Sequence, residues 1–125
     1  MTINIYNEPA LRSYLETALW SSIDYREGQD EKPLDDNYDS DVDFSDEAMA
    51  SALTEINTFL KQAKPFIAGH ELRQVAHDFW LTRNRHGAGF WDGDYEHGEA
   101  LTKIAHSFGE ISCYVGDDNK IHFEG

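Results

Sequence analysis

Apolar residues recur at helical spacing in the first stretch of the chain. Residues 7–23 carry one stripe suited to burial on a helix, formed by Leu11, Tyr14, Leu15, Ala18, Leu19 and Ser22. Pro9 fits the first turn of this helix, because an N–H there has no helical partner to lose. Ahead of it, Ile3 and Ile5 alternate with polar residues, which predicts a short edge strand over residues 2–6.

A second helix is predicted over residues 45–66. Ser45 is a suitable N-cap, two acidic residues follow it, and Pro65 ends the helix. Its apolar face consists of Met49, Ala52, Leu53, Ile56, Phe59 and Leu60. The stretch that follows, residues 69–77, has the pattern of a further short helix.

The spacing of apolar residues changes after residue 77. Residues 78–83, DFWLTR, are aromatic and β-branched enough to predict a strand, and residues 89–92, GFWD, predict a second one after a glycine-rich turn. Helical spacing returns over residues 96–109. Alternating apolar positions on either side of the GDDNK turn then predict a hairpin over residues 111–124.

These elements together predict an α+β fold in one domain, residues 1–125. The N-terminal helices and an acidic loop, residues 24–47, are expected to pack on an antiparallel β-β-α-β-β sheet formed by residues 78–124. Helices on one face of such a sheet would bury the apolar stripes of both layers.

Charge is concentrated in the acidic loop. The chain has 24 acidic and 10 basic residues and a net charge of −14, of which residues 24–47 contribute −9 through eleven acidic and two basic side chains. Such a charge repels phosphates and anionic lipids, so direct binding to nucleic acid or membrane is not expected. The loop is either a solvated connector or a functional segment, partly pinned by Leu34, Tyr38, Val42 and Phe44.

The remaining composition favours a cytoplasmic protein. Cys113 is the single cysteine, so an internal disulfide is not possible, and its alternating surroundings favour a role as core filler. The chain has no apolar run long enough to span a bilayer, and its first residues do not resemble a signal peptide. No cofactor is predicted.

Residues 77–98, HDFWLTRNRHGAGFWDGDYEHG, concentrate the candidate chemistry. A structural interpretation has Phe79, Leu81 and Phe90 packed beneath the helices, with Trp80 and Trp91 covering the other side. Arg83, Asn84 and His86 would then bond loop backbone. Gly87 and Gly89 are expected to be needed for folding, because the turn between the two predicted strands calls for positive φ.

Three functional interpretations of the same stretch stay open. His86, Asp92, Asp94 and His97 offer ligands for a divalent metal, although no spacing puts two of them on one helical face. His86 with Asp92 or Asp78 could transfer protons, but the chain has no nucleophile elbow, P-loop or dinucleotide motif. A binding surface would use Trp80, Trp91, Tyr95 and Arg83, which are residue types enriched at interfaces.

The motif HDFWLTRNRHGAGFWD, followed by GEALTKIAHSFGEISCYVGDDNKIHF, resembles a family of small phage and prophage proteins without an assigned reaction. The resemblance extends upstream to ALWSSIDY and PLDDNYDSDVDF and covers most of residues 15–122. This chain departs from the family pattern at Arg85, where glycine is usual, and in DGDYEHG, where DRG is common. The resemblance implies a phage or mobile-element protein that acts in the cytoplasm of a bacterial host cell.

The leading hypothesis is a protein without enzymatic activity that binds and inhibits or modulates a host protein. Its candidate contacts are Asp35, Asp36, Asp39, Asp41 and Asp43, together with Trp80, Trp91 and Arg83. The aspartates could occupy a basic groove that normally holds nucleic acid, in the manner of DNA-mimicking proteins. The alternatives are a small, metal-dependent enzyme centred on His86 and Asp92, and self-association through the tryptophans and strand edges. The sequence leaves the oligomeric state open.

Overall fold

The computed structural model describes residues 8–28, 30–86, 88–91 and 95–125. It is an α+β fold with four α-helices and a two-stranded antiparallel sheet. The elements are α1 (Glu8–Ser21), α2 (Asp46–Ala63), α3 (Leu72–Arg83), α4 (Gly98–His106), β1 (Ser112–Val115) and β2 (Ile121–Glu124). The edge strand predicted over residues 2–6 lies outside the described residues.

Aromatic side chains join α1, α2 and α3 into one core. The Tyr14 ring of α1 lies 5.6 Å from Phe79 and meets Trp80 edge-on at 5.3 Å. Phe59 of α2 stacks on Phe79 at 4.1 Å and on Phe90 at 5.6 Å. All five side chains are almost completely buried, so Phe79, Trp80 and Phe90 of the 77–98 motif belong to the centre of the core.

The predicted helices α1, α2 and α4 are confirmed, with local contacts that explain where α2 begins and ends. The Ser45 hydroxyl accepts a hydrogen bond from the Ala48 N–H at 3.1 Å, which is the expected N-cap interaction. Pro65 lies in a short 3₁₀ turn, Lys64–Phe66, which closes the helix. The chain then turns at Gly69 and enters α3.

The predicted β-β-α-β-β sheet is wrong in its first half. Residues 78–83 form the second half of α3, and residues 89–91 are bends and turns. The sequence resembled a strand because residues 78–83 are all buried, which removes the polar face that identifies a surface helix. The buried Val75, Ala76, Phe79 and Arg83 nevertheless keep helical spacing.

Two backbone bonds end α3 in a Schellman arrangement. The Arg85 N–H bonds the Thr82 carbonyl at 3.1 Å, and the His86 N–H bonds the Leu81 carbonyl at 3.0 Å. Arg85 has φ of +56°, the left-handed conformation that this kind of helix end requires. The chain then folds back onto the helix it has just left.

Gly89 lies close against α3 in this return. Its φ is +127°, and a Cβ atom there would clash with the Thr82 hydroxyl and lie 3.2 Å from the Asp78 carbonyl oxygen. The Thr82 hydroxyl accepts the next N–H, from Phe90, at 3.1 Å. Glycine is therefore required by a helix contact rather than by the predicted turn between two strands; Gly87 lies outside the described residues.

The predicted hairpin of β1 and β2 is confirmed. Cys113 pairs with Phe123, and Val115 pairs with Ile121. Ile121 also bonds the end of the acidic loop, since its N–H donates to the Asp43 carbonyl at 2.7 Å and its carbonyl accepts the Ser45 N–H at 3.0 Å. The hairpin thus anchors the acidic loop to the body of the protein. Within the described ranges, no helix has the length and apolar character needed to cross a membrane.

Candidate functional site

The polar side chains of the HDFWLTRN segment point inward and hold helices together. Arg83 is 1% exposed, so it cannot belong to a contact surface as the sequence predicted. Its guanidinium donates to the Tyr14 hydroxyl at 3.0 Å and to the Glu55 carboxylate at 3.0 Å. It also donates to the carbonyls of Gly109 at 2.9 Å and Phe108 at 3.1 Å. Arg83 therefore connects α1, α2 and the end of α4.

The environment of Arg83 affects the groups that surround it. Burial raises the pKa of the Tyr14 phenol well above its usual range, and the nearby Arg83 charge opposes that rise only in part. The phenol therefore stays neutral and accepts the guanidinium hydrogen bond. With all three guanidinium nitrogens bonded within the fold, Arg83 has a structural role.

Trp80 is also part of the core and does not form a surface contact. It is 1% exposed, and its indole N–H donates to the Ser21 hydroxyl at 2.8 Å. Trp91 differs from it, with 62% of its surface exposed. Of the two tryptophans predicted at a binding surface, only Trp91 is available to a partner.

Asp78 is buried and holds two neighbouring side chains. Its carboxylate accepts from the Tyr95 hydroxyl at 2.8 Å and from the Gln74 amide at 3.1 Å. Burial raises the pKa of Tyr95, and the hydrogen bond to Asp78 raises it further. Tyr95 thus remains a donor, and Asp78 fixes the position of its ring.

The four candidate metal ligands are only partly described. His86 and His97 are both exposed, and Asp92 and Asp94 lie outside the described residues. His97 meets the Phe66 ring at 5.4 Å, whereas His86 follows the end of α3. Among described residues, no three His, Cys, Asp or Glu side chains are placed to hold a metal ion.

His86 lines a cleft with a volume of about 630 Å³. The cleft lies between the ends of α1 and α3 and the start of β1, with Trp80, Glu110, Cys113 and Glu124 among its walls. Burial raises the pKa of Cys113 to about 12, so its thiol stays protonated and is a poor nucleophile. The cleft has the size of a small-molecule site but lacks an activated cysteine.

The acidic loop has a defined conformation that its own side chains stabilise. Leu34, Tyr38 and Phe44 are buried, as predicted, whereas Val42 is 67% exposed. Within the loop, the Asp39 carboxylate accepts the Asp41 N–H at 2.7 Å. Backbone hydrogen bonds that Asp43 and Ser45 form with Ile121 of β2 close the far end of the loop. The loop is therefore held at several points.

An ion pair between the buried Asp24 and the exposed Arg26, which the sequence pattern did not indicate, holds the loop at its near end. The Arg26 guanidinium donates to both oxygens of Asp24, at 2.9 and 2.7 Å, and to the Tyr38 hydroxyl at 2.9 Å. Tyr38 in turn donates to the Asn119 side chain at 2.9 Å. This Asp24–Arg26–Tyr38–Asn119 network is called the clasp below. Tyr38 and Asn119 are 81 positions apart, so no local pattern indicates the complete network.

Most of the predicted contact aspartates lie on the exposed side of this pinned loop. Asp35, Asp36, Asp39 and Asp41 are exposed, and Asp43 is half-buried. Arg12 of α1 pairs with Asp41 at 3.0 Å. In the described part of the chain, no ion pair is formed by Asp35, Asp36 or Asp39, so their charges face solvent.

No family model, curated protein or solved structure matches the chain. The resemblance to phage proteins therefore stays a prediction.

Proposed function

We propose that this chain is a small acidic phage-type protein that binds a host protein through the acidic loop and inhibits or modulates it. The observation that carries the proposal is the exposure of Asp35, Asp36, Asp39 and Asp41 on a loop held by the clasp and by β2. A loop that is already ordered loses less conformational entropy on binding, so association through its charges is opposed by a smaller free-energy penalty.

The charge of the loop specifies the chemistry of the partner. Residues 24–47 carry −9 of the net −14, and complementary association requires a basic surface. A nucleic-acid-binding defence factor of the host has such a surface in its binding groove. Occupation of that groove by carboxylates in place of phosphates would be partial DNA mimicry. The phage origin, and with it action in the bacterial cytoplasm, depends on the family resemblance.

Val42 adds an apolar contact to this charged surface. It is 67% exposed and lies between Asp41 and Asp43. Protein interfaces combine polar margins with apolar contacts that exclude water. Val42 is therefore expected to slow dissociation, whereas the aspartates accelerate association.

The test compares two double variants that remove equal charge. Asp35→Asn with Asp36→Asn removes two negative charges from the loop, and Glu16→Gln with Glu71→Gln removes two from exposed positions on α1 and ahead of α3. Partners are first identified by affinity purification from bacterial lysate, and dissociation constants are then measured at low and high salt. The loop variant should bind about tenfold more weakly at low salt, with a shallower salt dependence, and the control should bind like the parent.

A variant with asparagine at positions 35, 36, 39, 41 and 43 gives the decisive result. If it retains the partners and the phage phenotype of the parent, the proposed function is wrong. Affinity that does not change with salt would also contradict a loop that acts through its charge.

The second candidate function is a small enzyme, metal-dependent in one form, centred on His86 and Asp92. The observation in its favour is the cleft of about 630 Å³ that His86 lines. Equilibrium dialysis followed by elemental analysis tests for a bound metal. A stoichiometric metal that is lost in His86→Ala with an intact fold would favour this candidate over the binding protein.

A further inference from the structure

A second recognition surface lies toward the other end of α2 from the acidic loop. Phe90, Trp91, Tyr95, Glu96, Glu99 and Lys103 line a groove of about 500 Å³, called the Trp91 groove below. Phe90 stacks on Phe59, fourteen residues beyond the Ser45 cap that contacts β2, and a helix rises about 21 Å over that length. The groove and the acidic loop are therefore separate surfaces.

Aromatic rings form one wall of the Trp91 groove. Trp91 offers an exposed indole, whereas Tyr95 is half-buried and held by its bond to Asp78. The Phe90 ring meets Tyr95 edge-on at 5.0 Å, and His70 stacks on Tyr95 at 4.3 Å. Contacts on several sides therefore hold the Tyr95 ring in place, so the groove wall beside the exposed Trp91 is preformed.

The charged residues of the groove favour a cation. Glu96 and Glu99 are both exposed, and Lys103 is the one basic residue among the lining residues. The positive end of the α4 dipole lies at Gly98, but Glu99 in the first helical turn offsets it. Two carboxylates against one ammonium leave the groove negative.

We propose that the Trp91 groove binds a cationic side chain, with arginine preferred over lysine, on a basic partner protein. A guanidinium stacks flat on an indole face, and its planar fork donates to carboxylates, so one arginine can use Trp91 and a glutamate together. An ammonium is a more strongly hydrated point charge and gains less from the ring. The inference rests on residues other than the acidic loop and stands if the loop has no partner.

The experiment titrates the full chain with N-acetyl-arginine amide and, in parallel, with the uncharged citrulline analogue, followed by ¹H–¹⁵N NMR. The arginine probe should shift the Trp91 indole resonance and the amides of Glu96 and Glu99 in a saturable manner, and citrulline should not. N-acetyl-lysine amide should bind more weakly than the arginine probe.

Variants identify which groups bind the probe. Trp91→Ala should abolish the saturable shift at Glu96 and Glu99, and Glu96→Gln with Glu99→Gln should weaken binding about two- to fivefold. The Glu16→Gln, Glu71→Gln variant removes the same charge elsewhere and should bind like the parent.

Equal shifts with arginine and citrulline would overturn the inference, as would unchanged affinity in the Glu96→Gln, Glu99→Gln variant. Shifts confined to the acidic loop would also overturn it, and would leave the proposed function intact. Conversely, failure of the Asp35→Asn, Asp36→Asn test has no bearing on this titration, so the two proposals fail separately.

Discussion

Arg83 shows how a charged residue in a conspicuous motif can serve the core. It is buried, yet its donors meet a phenol, a carboxylate and two backbone carbonyls. The Phe79 and Phe108 rings lie 5.6 and 5.7 Å from its guanidinium carbon, so the cation also has two aromatic neighbours. Removal of the guanidinium alone would leave those partners without hydrogen bonds. The resulting fall in the free energy of unfolding exceeds the net contribution of the intact network.

Arg83→Met is expected to lower the free energy of unfolding by about 2–4 kcal/mol, because it keeps much of the side-chain volume but removes every donor. Urea denaturation followed by far-UV circular dichroism measures the change. Arg85→Met is the control, since Arg85 is exposed and its pair with Glu110 is 3.5 Å long. A change of similar size in both variants would contradict the special role of Arg83.

Gly89→Ala is expected to destabilise the fold by about 2–4 kcal/mol, since the added methyl meets Thr82 in a backbone conformation that alanine resists. Gly69→Ala isolates the backbone contribution, because Gly69 has φ of +85° and nothing within 4 Å of the added atom. Thermal melts of both variants measure the difference. An unchanged melting temperature in Gly89→Ala, combined with lost partner binding, would show that this glycine serves recognition instead.

At the level of elements, α3 shows the limit of local patterns. Its first half, with Leu72, Val75 and Ala76, has recognisable helical spacing, but its second half is enclosed on all sides. Burial of Arg83 is possible because its partners lie on distant segments, as with Tyr14, 69 residues away. The end of α3 depends on local geometry alone. A residue in the left-handed conformation ends the helix, whatever side chains surround it.

Arg85→Gly is expected to stabilise the protein by up to about 1 kcal/mol. The left-handed conformation at φ of +56° is strained for arginine and free for glycine, although glycine also gains entropy in the unfolded chain. Urea denaturation measures the change, and a loss of stability would indicate that the exposed Arg85–Glu110 pair contributes more than surface pairs usually do.

The clasp makes the stability of the acidic loop depend on pH. The hydrogen bonds from Arg26 hold the pKa of Asp24 below its usual range, so folding favours the ionised carboxylate. Its contribution is complete above the ordinary value of about 3.9 and is lost as the pH falls through the lowered folded value. The unfolding free energy of the parent should therefore decline more steeply below pH ~4 than that of Asp24→Asn. Parallel curves for the two proteins would exclude this role.

At the level of the whole molecule, the net charge lowers the stability of the folded state. The net charge of −14 produces self-repulsion that dissolved salt screens. The melting temperature should therefore rise as sodium chloride increases from ~0.02 to ~0.3 M. The Asp35→Asn, Asp36→Asn variant should show a smaller rise than the Glu16→Gln, Glu71→Gln variant if repulsion is concentrated in the loop. A fall in melting temperature with salt would mean that attractive pairs dominate.

The sequence predicted those parts of the fold and site that nearest neighbours determine. Pro9 and Ser45 mark helix starts, and the GDDNK turn marks the hairpin, because each depends on residues close by. The buried positions of Trp80 and Arg83 were missed, since burial depends on partners elsewhere in the chain. The exposure of Asp35, Asp36, Asp39 and Asp41 depends less on distant partners, since a segment this rich in charge stays in contact with water.

The contact between Tyr38 and Asn119 joins residues 81 positions apart, and it has a consequence for biosynthesis. The ribosome delivers the acidic loop long before the hairpin that anchors it, so a nascent chain carries the loop without either Asn119 or Ile121. Contacts between residues so far apart in sequence form late in folding and slow it. A host partner that recognises the pinned loop would therefore meet its target only after translation has reached β2, and would ignore unfinished chains.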